Sequence, residues 1–208
     1  MKSPNELITG VAALLQERLE GVGFTKRRQG IFSIDISDDV IGWLGLNRAV
    51  EGRADLEINP VVGVRNQRIE RIVAELTQRP FDKLVPPTLA GHLGYLTPEK
   101  RYVPVRFAPG ESQEPSAVRL IESLQAYGFP FMKGLADPVT LLDALLKSEF
   151  AVREFAAYRI AAGLFFIGRN AESINFLDAR LAEIADRGDP AADQFRRFSV
   201  ALRQKIGA

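Results

Sequence analysis

Cysteine is absent from this sequence, and histidine occurs once, as His92. Without cysteine the chain has no disulfide, no thiolate nucleophile and no zinc site built on cysteine. A single histidine also excludes a zinc site that needs several imidazoles. The carboxylates are too widely scattered for a site made of Asp and Glu alone to be excluded in the same way. We expect no metal ion and no cofactor.

An excess of charge of one sign is absent as well. The chain has 27 Lys and Arg against 26 Asp and Glu, a formal net charge of +1. Neither the first 110 residues nor the remainder is a polyelectrolyte. This balance argues against a nucleic-acid binder that depends on electrostatic attraction, so we expect no nucleic-acid partner.

The densest basic run is Lys26-Arg27-Arg28, and Arg65, Arg68 and Arg71 recur at helical spacing. One interpretation is a surface for nucleic acid or phosphate. The other is a solvated hairpin and helix face, whose charges are balanced by neighbouring glutamates such as Glu70 and Glu75. The second is favoured, because no aromatic residues that could stack on bases are interleaved with these charges.

Long apolar runs are missing too. The run Leu164-Phe165-Phe166-Ile167 stops at Gly168, far short of the roughly 20 apolar residues that a membrane helix needs. The first 25 residues carry several charged side chains, which is not typical of a signal peptide. We therefore expect no membrane partner and a cytoplasmic protein.

Two common catalytic and nucleotide-binding motifs are also missing. There is no Gly-x-Ser-x-Gly, and Gly42-Trp43-Leu44-Gly45 lies inside a strand pattern rather than before a helix, where a phosphate loop belongs. His92 has no acidic neighbour in the sequence to orient it as a general base. It is more typical of a structural hydrogen-bonding residue near a strand start, although the glycines around it would allow a ligand to approach. We predict no catalytic residue; an enzyme would require two buried acids that face a cleft.

What is present is a run of β-type segments. Phe32, Ile34 and Ile36 alternate with polar residues, the period of a half-buried strand. We expect successive strands at residues 31–37, 40–50 and 54–65, with turns at 37–39 and 51–53. Pro60 interrupts the third strand, which favours an edge position or a bulge. Residues 93–96 and 102–107 are candidates for two further strands.

Helical periodicity marks both ends of the chain. A helix is predicted at 5–20, with Ser3 as its N-cap, and another at about 67–78, capped by Asn66. From Ser116 onwards the pattern is helical. Helices are expected after Ser116, from Asp137-Pro138, and at about 152–168, 171–187 and 190–206. The fold class predicted is therefore α+β, an antiparallel β-meander flanked by helices with a C-terminal all-helical bundle. The Pro- and Gly-rich segment 108–116 suggests a sheet domain at 1–110 and a helical domain or cap at 111–208.

Several segments resemble an uncharacterised bacterial family, the domain of unknown function numbered forty-three-oh-four. The matching segments are Gly23-Phe24-Thr25-Lys26-Arg27, Phe32, Ile58-Asn59-Pro60-Val61-Val62-Gly63-Val64 and His92-Leu93-Gly94-Tyr95-Leu96, with a looser match at Phe129-Pro130-Phe131-Met132 and Leu141-Leu142. The resemblance covers about residues 5–147. It implies no activity and no catalytic residue, and the association of similar domains with toxin–immunity loci suggests a binding protein.

The first functional hypothesis is a non-catalytic protein that binds another macromolecule, as an immunity-like or regulatory partner. The sequence predicts a well-formed core but no group of residues typical of a catalytic site, and this combination motivates the hypothesis. The candidate surface combines an acidic rim, made of Asp35, Asp38 and Asp55, with Trp43 as an exposed aromatic side chain. Such a surface would act by steric occlusion, with charge complementarity speeding the encounter.

The alternative is a small-molecule or phosphate-binding module, with a cleft between the sheet and the helical cap. Its candidate residues are Arg28, Arg48, His92, Tyr95 and Arg106.

Overall fold

A computed structural model describes residues 4–48, 55–147 and 153–207. The fold class is α+β, as predicted. The strands are β1 (Thr25–Arg28), β2 (Ile31–Ser37), β3 (Val40–Arg48), β4 (Leu56–Asn66), β5 (Leu89–His92) and β6 (Val105–Phe107). The helices are α1 (Pro4–Gly21), α2 (Gln67–Leu76), α3 (Glu114–Ser123), α4 (Phe129–Gly134), α5 (Pro138–Leu146), α6 (Arg153–Phe166), α7 (Asn170–Glu183) and α8 (Pro190–Ile206).

The six strands form one sheet in the order β1-β2-β3-β4-β5, with β6 also paired to β4. Strands β1, β2 and β3 are successive antiparallel neighbours, in a register that places Phe32 opposite Leu44 and Ser33 opposite Trp43. Strand β6 is antiparallel to β4, with Phe107 opposite Leu56. The predicted antiparallel meander is confirmed.

Short polar side chains start the helices where the sequence places them. Asn66 Oδ1 accepts hydrogen bonds from the backbone N–H of Arg68 at 3.1 Å and of Ile69 at 3.0 Å, which caps α2. Asp137 accepts from the N–H of Thr140 at 2.8 Å at the start of α5. These caps confirm the predicted starts of α2 and α5, because each satisfies N–H groups that a helix leaves unpaired.

Three local predictions differ from the structure. Leu93–Tyr95 is a 3₁₀ turn that follows β5, so a strand at 93–96 is wrong. Of the predicted strand 102–107, only Val105–Phe107 forms. The predicted turn at 51–53, the last two residues of the predicted strand 40–50, the Ser3 cap and the start of a helix at 152 lie outside the described residues.

Pro60 lies in β4, which has β3, β5 and β6 as neighbours, so its predicted edge position is wrong. The register of β6 on β4 ends at the pair Ile58 and Val105, two residues before Pro60. Pro60 therefore lies beyond the residues that pair with β6, and its missing N–H costs no hydrogen bond to that strand.

The chain divides into two compact units. Unit 1 comprises Met1–Val64 and Ala90–Gly134, and unit 2 comprises Arg65–Leu89 and Leu135–Ala208. This division differs from the predicted boundary near residue 110. Helix α2 belongs to unit 2 although it precedes that boundary, and α3 and α4 belong to unit 1 although they follow it.

Unit 1 has an apolar core between helices and sheet. Helix α1 packs on α3 and β1, and its side chains Val11, Leu15 and Leu19 are buried. Glycines in β3 make close packing possible there. A Cβ at Gly42 would lie 2.7 Å from Ile34 Cγ2 and 2.9 Å from Met132 Sδ, so a larger residue would collide with this core.

Unit 2 packs α2 and α5–α8 around a core that also contains charge. Glu70 in α2 is buried, and its Oε1 accepts hydrogen bonds from Thr88 Oγ1 and from Arg159 Nε, each at 2.8 Å. Its Oε2 lies 3.1 Å from Arg65 Nη1. Arg65 also donates to the backbone carbonyls of Asp82 and Pro86. One carboxylate thus joins two buried guanidinium groups.

In the part of the chain that the structure describes, no helix is both long enough and apolar enough to cross a membrane.

Candidate functional site

The predicted acidic rim does not form one surface. Asp35 and Asp38 are exposed at the end of the sheet where β2 turns into β3. Asp55 immediately precedes β4, beyond the opposite end of β3. The length of β3, at roughly 3.3 Å per residue, separates the two ends by about 26 Å. A single partner surface built on all three aspartates is therefore not present.

Trp43 is buried, with 9% of its surface exposed, so its prediction as an exposed aromatic side chain is wrong. Its indole lies over Gly45, where an added Cβ would collide with the ring. Residues Gly42 to Gly45 are all buried, which means that β3 is covered on both faces and lacks the alternation of a half-exposed strand.

The residues of the predicted ligand cleft are only partly brought together. His92 and Tyr95 are in ring contact, with centroids 6.0 Å apart. Arg106 in β6 lines a cleft in unit 1 together with Leu93 and Gly94, which separate those two residues in the chain. Arg28 in β1 and Arg48 at the end of β3 are not among the residues that line this cleft.

His92 ends β5 rather than starting a strand. Its Nδ1 accepts a hydrogen bond from the N–H of Gly94 at 3.0 Å and so caps the 3₁₀ turn. Its ring also contacts Tyr102, with centroids 4.5 Å apart. Burial lowers the pKa of His92, which favours the neutral ring. Because Nδ1 accepts, the ring proton belongs on Nε2, which is buried and has no partner in the described residues.

The cleft in unit 1 has a volume of about 560 Å³ and lies beside β6. One wall is the loop after the 3₁₀ turn, and the other is the end of α3 with the turn that follows it. The polar side chains that line it and matter here are Thr97, Arg101, Arg106, Arg119, Ser123 and Tyr127.

Local packing of the loop positions Thr97 and Arg101. Gly94 approaches the carbonyl of Arg101 so closely that a Cβ would collide with it, and Thr97 Oγ1 donates to the carbonyl of Gly94 at 2.9 Å. Lys100 adopts a positive φ of 45° within this loop. These contacts close the segment on itself and hold both side chains at the cleft.

The opposite wall contains an irregular helical turn. Helix α3 continues into a π-helical segment, Leu124–Gly128, before α4 begins. Such segments are rare and occur frequently at functional sites, because the extra residue redirects the side chains of the turn. Here the π turn carries Tyr127, which lines the cleft beside Ser123.

The three arginines of the cleft have different partners. Arg106 Nε bonds Glu57 Oε1 at 2.8 Å, and Arg119 Nη2 donates to Ser116 Oγ at 2.8 Å. The pKa of Glu99, the acidic residue in the lining, is lowered by a hydrogen bond from Thr97, with a smaller contribution from Arg101. Three guanidinium groups against two carboxylates leave the cleft with net positive charge.

Five residues of the cleft were not predicted from the sequence as site residues: Thr97, Arg101, Arg119, Ser123 and Tyr127. Arg101 and Arg106 are close in sequence, but Arg119 lies on a helix that no sequence pattern places beside them. Tertiary packing brings these side chains together, and no local sequence pattern indicates it.

Arg65, near the end of β4, and Arg71, on α2, differ from their predicted setting. Glu70 is buried with Arg65, and Glu75 Oε1 pairs with Lys205 Nζ at 2.6 Å. The guanidinium carbons of Arg65 and Arg71 lie 5.4 Å and 5.2 Å from the ring centre of Phe81. Aromatic rings are therefore interleaved with these charges in space, although not in the sequence.

Glu70 is the one buried acidic residue in the described ranges, and it lies in the interior of unit 2. Within residues 4–48, 55–147 and 153–207, no group of three His, Asp or Glu side chains is placed to hold a metal ion.

No family model matches the chain, and no curated protein or solved structure matches it either. The resemblance to the bacterial domain of unknown function stays a prediction.

Proposed function

We propose that this protein binds a small ligand with a phosphate or carboxylate group in the cleft of unit 1. The observation that carries the proposal is that Arg101, Arg106 and Arg119 come from a loop, a strand and a helix and line the same cleft. It develops the ligand-cleft alternative of the sequence analysis, with Arg106 as the residue common to both.

The chemistry of the lining suits an oxyanion. A guanidinium group presents donors in a planar fork that matches both oxygens of a carboxylate or phosphate. The hydroxyls of Ser123 and Tyr127 add donors that can complete the coordination of a third oxygen. Pro60, Leu93 and Leu120 supply the apolar part of the wall, which would hold the body of the ligand.

The size and exposure of the cleft also fit a small ligand. Its volume of about 560 Å³ lies within the range of small-molecule sites. The Arg106 side chain is 61% exposed, so its donors are hydrated before a ligand arrives. Because the ligand replaces water on these groups, we expect moderate affinity and a marked dependence on salt concentration.

Isothermal titration calorimetry with glycerophosphate tests the proposal, with glycerol as the uncharged control. Arg119→Gln should weaken binding by about tenfold or more, because a charge-assisted hydrogen bond contributes about 1.5–3 kcal/mol. Arg18→Gln is the matched control, since Arg18 lies on α1 in the same unit, pairs with Glu114 and does not line the cleft.

Equal heats for glycerophosphate and glycerol would contradict the proposal. Loss of binding in Arg18→Gln as large as that in Arg119→Gln would also contradict it, because net charge rather than the cleft would then be responsible. A carboxylate ligand such as citrate, titrated in the same way, separates the two oxyanion classes.

A protein partner is the second candidate. Tyr95 and Tyr102 are 47% and 48% exposed, and both contact the ring of His92. Exposed tyrosines are enriched at the centres of protein interfaces. An immunity-like or regulatory role stays a prediction, and this ring cluster replaces Trp43 as the aromatic part of its candidate surface.

Affinity capture from native lysate tests this candidate. The double variant Tyr95→Ser with Tyr102→Ser should lose a stoichiometric partner that the wild-type protein retains. Capture of the same proteins in the same amounts by both forms would exclude this surface.

A further inference from the structure

A second cleft lies in unit 2, on α6, α7 and α8. Its volume is about 380 Å³, within the range of small-molecule sites. The side chains that matter here are Arg79, Phe155, Tyr158, Arg180, Arg187 and Phe195. All of them belong to unit 2, and none lines the cleft of unit 1.

One wall of this cleft contains Tyr158 and Phe195, which pack against Phe198, a ring that does not itself line the cleft. Tyr158 meets Phe195 edge-to-face, with centroids 5.2 Å apart and an angle of 76°, and meets Phe198 at 4.8 Å and 70°. Phe195 and Phe198 are buried. Edge-to-face packing of this kind holds each ring in place, so the wall offers a rigid apolar face to a flat ligand.

The hydroxyl of Tyr158 makes no hydrogen bond within the described residues, although only 7% of the residue is exposed. Its oxygen is not sealed from solvent, so it can donate to a ligand that enters the cleft. Burial raises the pKa of Tyr158, against an opposing effect of Arg79 and Arg197. The group is therefore a neutral O–H donor at physiological pH, in a cleft whose charged lining residues are arginines.

Three arginines line this cleft, and Arg79 is the one without a carboxylate partner in the described part of the chain. Its Nη2 donates to Gln194 Oε1 at 2.6 Å, and its guanidinium carbon lies 5.3 Å from the ring centre of Phe155. Arg180 pairs with a glutamate on its own helix, and Arg187 pairs with an aspartate. The positive charge of the cleft is consequently concentrated on Arg79.

We propose that the cleft of unit 2 binds an aromatic carboxylate. The carboxylate accepts hydrogen bonds from the guanidinium of Arg79 and from the hydroxyl of Tyr158. The aromatic ring of the ligand packs against Phe155 and Phe195, which line the same cleft. A carboxylate without a ring would lose the apolar contact, and a ring without a charge would leave Arg79 unpaired.

Fluorine NMR tests this proposal site by site, because the tyrosines are distributed between the two units. The sequence has four tyrosines, of which Tyr158 alone belongs to unit 2. Protein labelled with fluorotyrosine is titrated with indoleacetate, and the resonances are assigned with single Tyr→Phe variants. The Tyr158 resonance should shift to saturation, while that of Tyr127 in the other cleft should stay unmoved.

Ligand controls separate the two contributions. Indoleacetamide keeps the ring and removes the charge, and acetate keeps the charge and removes the ring. Each should bind about tenfold more weakly than indoleacetate or worse, since each loses an interaction of about that size. Equal affinity of indoleacetamide and indoleacetate would overturn the role of Arg79.

Calorimetry on variants completes the test. Arg79→Gln should weaken indoleacetate binding about tenfold or more, and Tyr158→Phe by a few-fold, because it removes one neutral donor and keeps the ring. Arg203→Gln is the control, since Arg203 lies on α8, pairs with Asp178 and does not line the cleft.

Circular dichroism checks that each variant is folded, and Arg79→Lys replaces Arg79→Gln if the latter is not. An unmoved Tyr158 resonance at millimolar indoleacetate, or unchanged affinity in Tyr158→Phe and the Arg79 variant, would overturn the proposal.

Discussion

Two sets of arginines, Arg65 with Arg159 in unit 2 and Arg101, Arg106 and Arg119 in unit 1, occupy opposite environments. In unit 2, the Arg65 side chain is 3% exposed and both it and Arg159 are bound to Glu70. In unit 1, the Arg106 side chain is 61% exposed and shares a cleft with Arg101 and Arg119. The same residue type therefore holds an interior together in one unit and offers donors to solvent in the other.

Desolvation explains the difference. Burial lowers the pKa of Arg65 and Glu70 opposes that effect, so the carboxylate offsets the cost of burying the guanidinium charge. Removing one partner of a buried pair leaves an uncompensated charge, which costs far more than the pair contributes. The exposed arginines of unit 1 carry no such penalty, because water can replace any partner that they lose.

The largest effect is expected for Glu70→Gln. This change leaves Arg65 and Arg159 without their shared carboxylate and should lower the free energy of unfolding by about 3–5 kcal/mol. Urea denaturation measures it. Glu75→Gln is the matched control on the same helix, where the exposed pair with Lys205 should contribute at most about 1 kcal/mol. An equal loss of unfolding free energy in Glu70→Gln and Glu75→Gln would contradict the distinction between buried and exposed ion pairs.

A steric change in the apolar interior of unit 1 should have an intermediate effect. Gly45→Ala places a Cβ against the indole of Trp43 and should lower the free energy of unfolding by about 1–3 kcal/mol. Gly10→Ala on α1 is its control. No atom lies within 4 Å of the new Cβ there, and the change should stabilise the helix by up to about 1 kcal/mol. Denaturation curves that rank these variants in the opposite order would contradict the packing described for β3.

Arg119→Gln should change the free energy of unfolding by less than about 0.5 kcal/mol, because Arg119 is exposed and its bond to Ser116 is only part-buried. The same variant should lose ligand affinity, and that combination distinguishes a binding arginine from a structural one. If urea denaturation instead gave a loss comparable to that of Glu70→Gln, the contrast between the units would fail.

The smallest effect is expected from His92 and depends on pH. Its pKa is lower in the folded protein than in the unfolded chain, so the unfolded state binds the proton first as the pH falls below about 6.5. Folding stability conferred by the neutral ring is present above that pH and is lost as the pH falls towards the folded-state pKa. His92→Asn keeps an acceptor for the N–H of Gly94 and should remove this component.

Urea midpoints of both forms between about pH 7.5 and about pH 5 measure this component of stability. His92 is the one histidine in the sequence, so the difference between the two profiles belongs to it. Parallel profiles would show that its protonation is not linked to folding.

Local patterns predicted much of the architecture. The alternation of Phe32, Ile34 and Ile36 placed β2, and Asn66 and Asp137 placed the starts of α2 and α5, because strand period and capping depend on neighbouring residues. The exposure of Trp43 was predicted wrongly, because both faces of β3 are covered. The unbroken apolar run from Val40 to Leu46, without the alternation seen in β2, is the local pattern typical of such a strand.

The candidate site was less predictable than the fold. Arg106 was identified, but Arg119 reaches the same cleft from a helix beyond a loop. The partners of Glu70 were missed for the same reason, since Arg159 is 89 residues away along the chain. Charge patterns show which residues can bind or pair, and tertiary packing decides which of them meet.

Fluorine NMR of fluorotyrosine-labelled protein, titrated with glycerophosphate, tests most directly whether the exposed arginines of unit 1 form an anion site. Tyr127 lines that cleft and Tyr158 does not. We expect a saturable shift of the Tyr127 resonance that is lost in Arg119→Gln, with the Tyr158 resonance unmoved. A Tyr127 resonance that stays in place at millimolar glycerophosphate would contradict it.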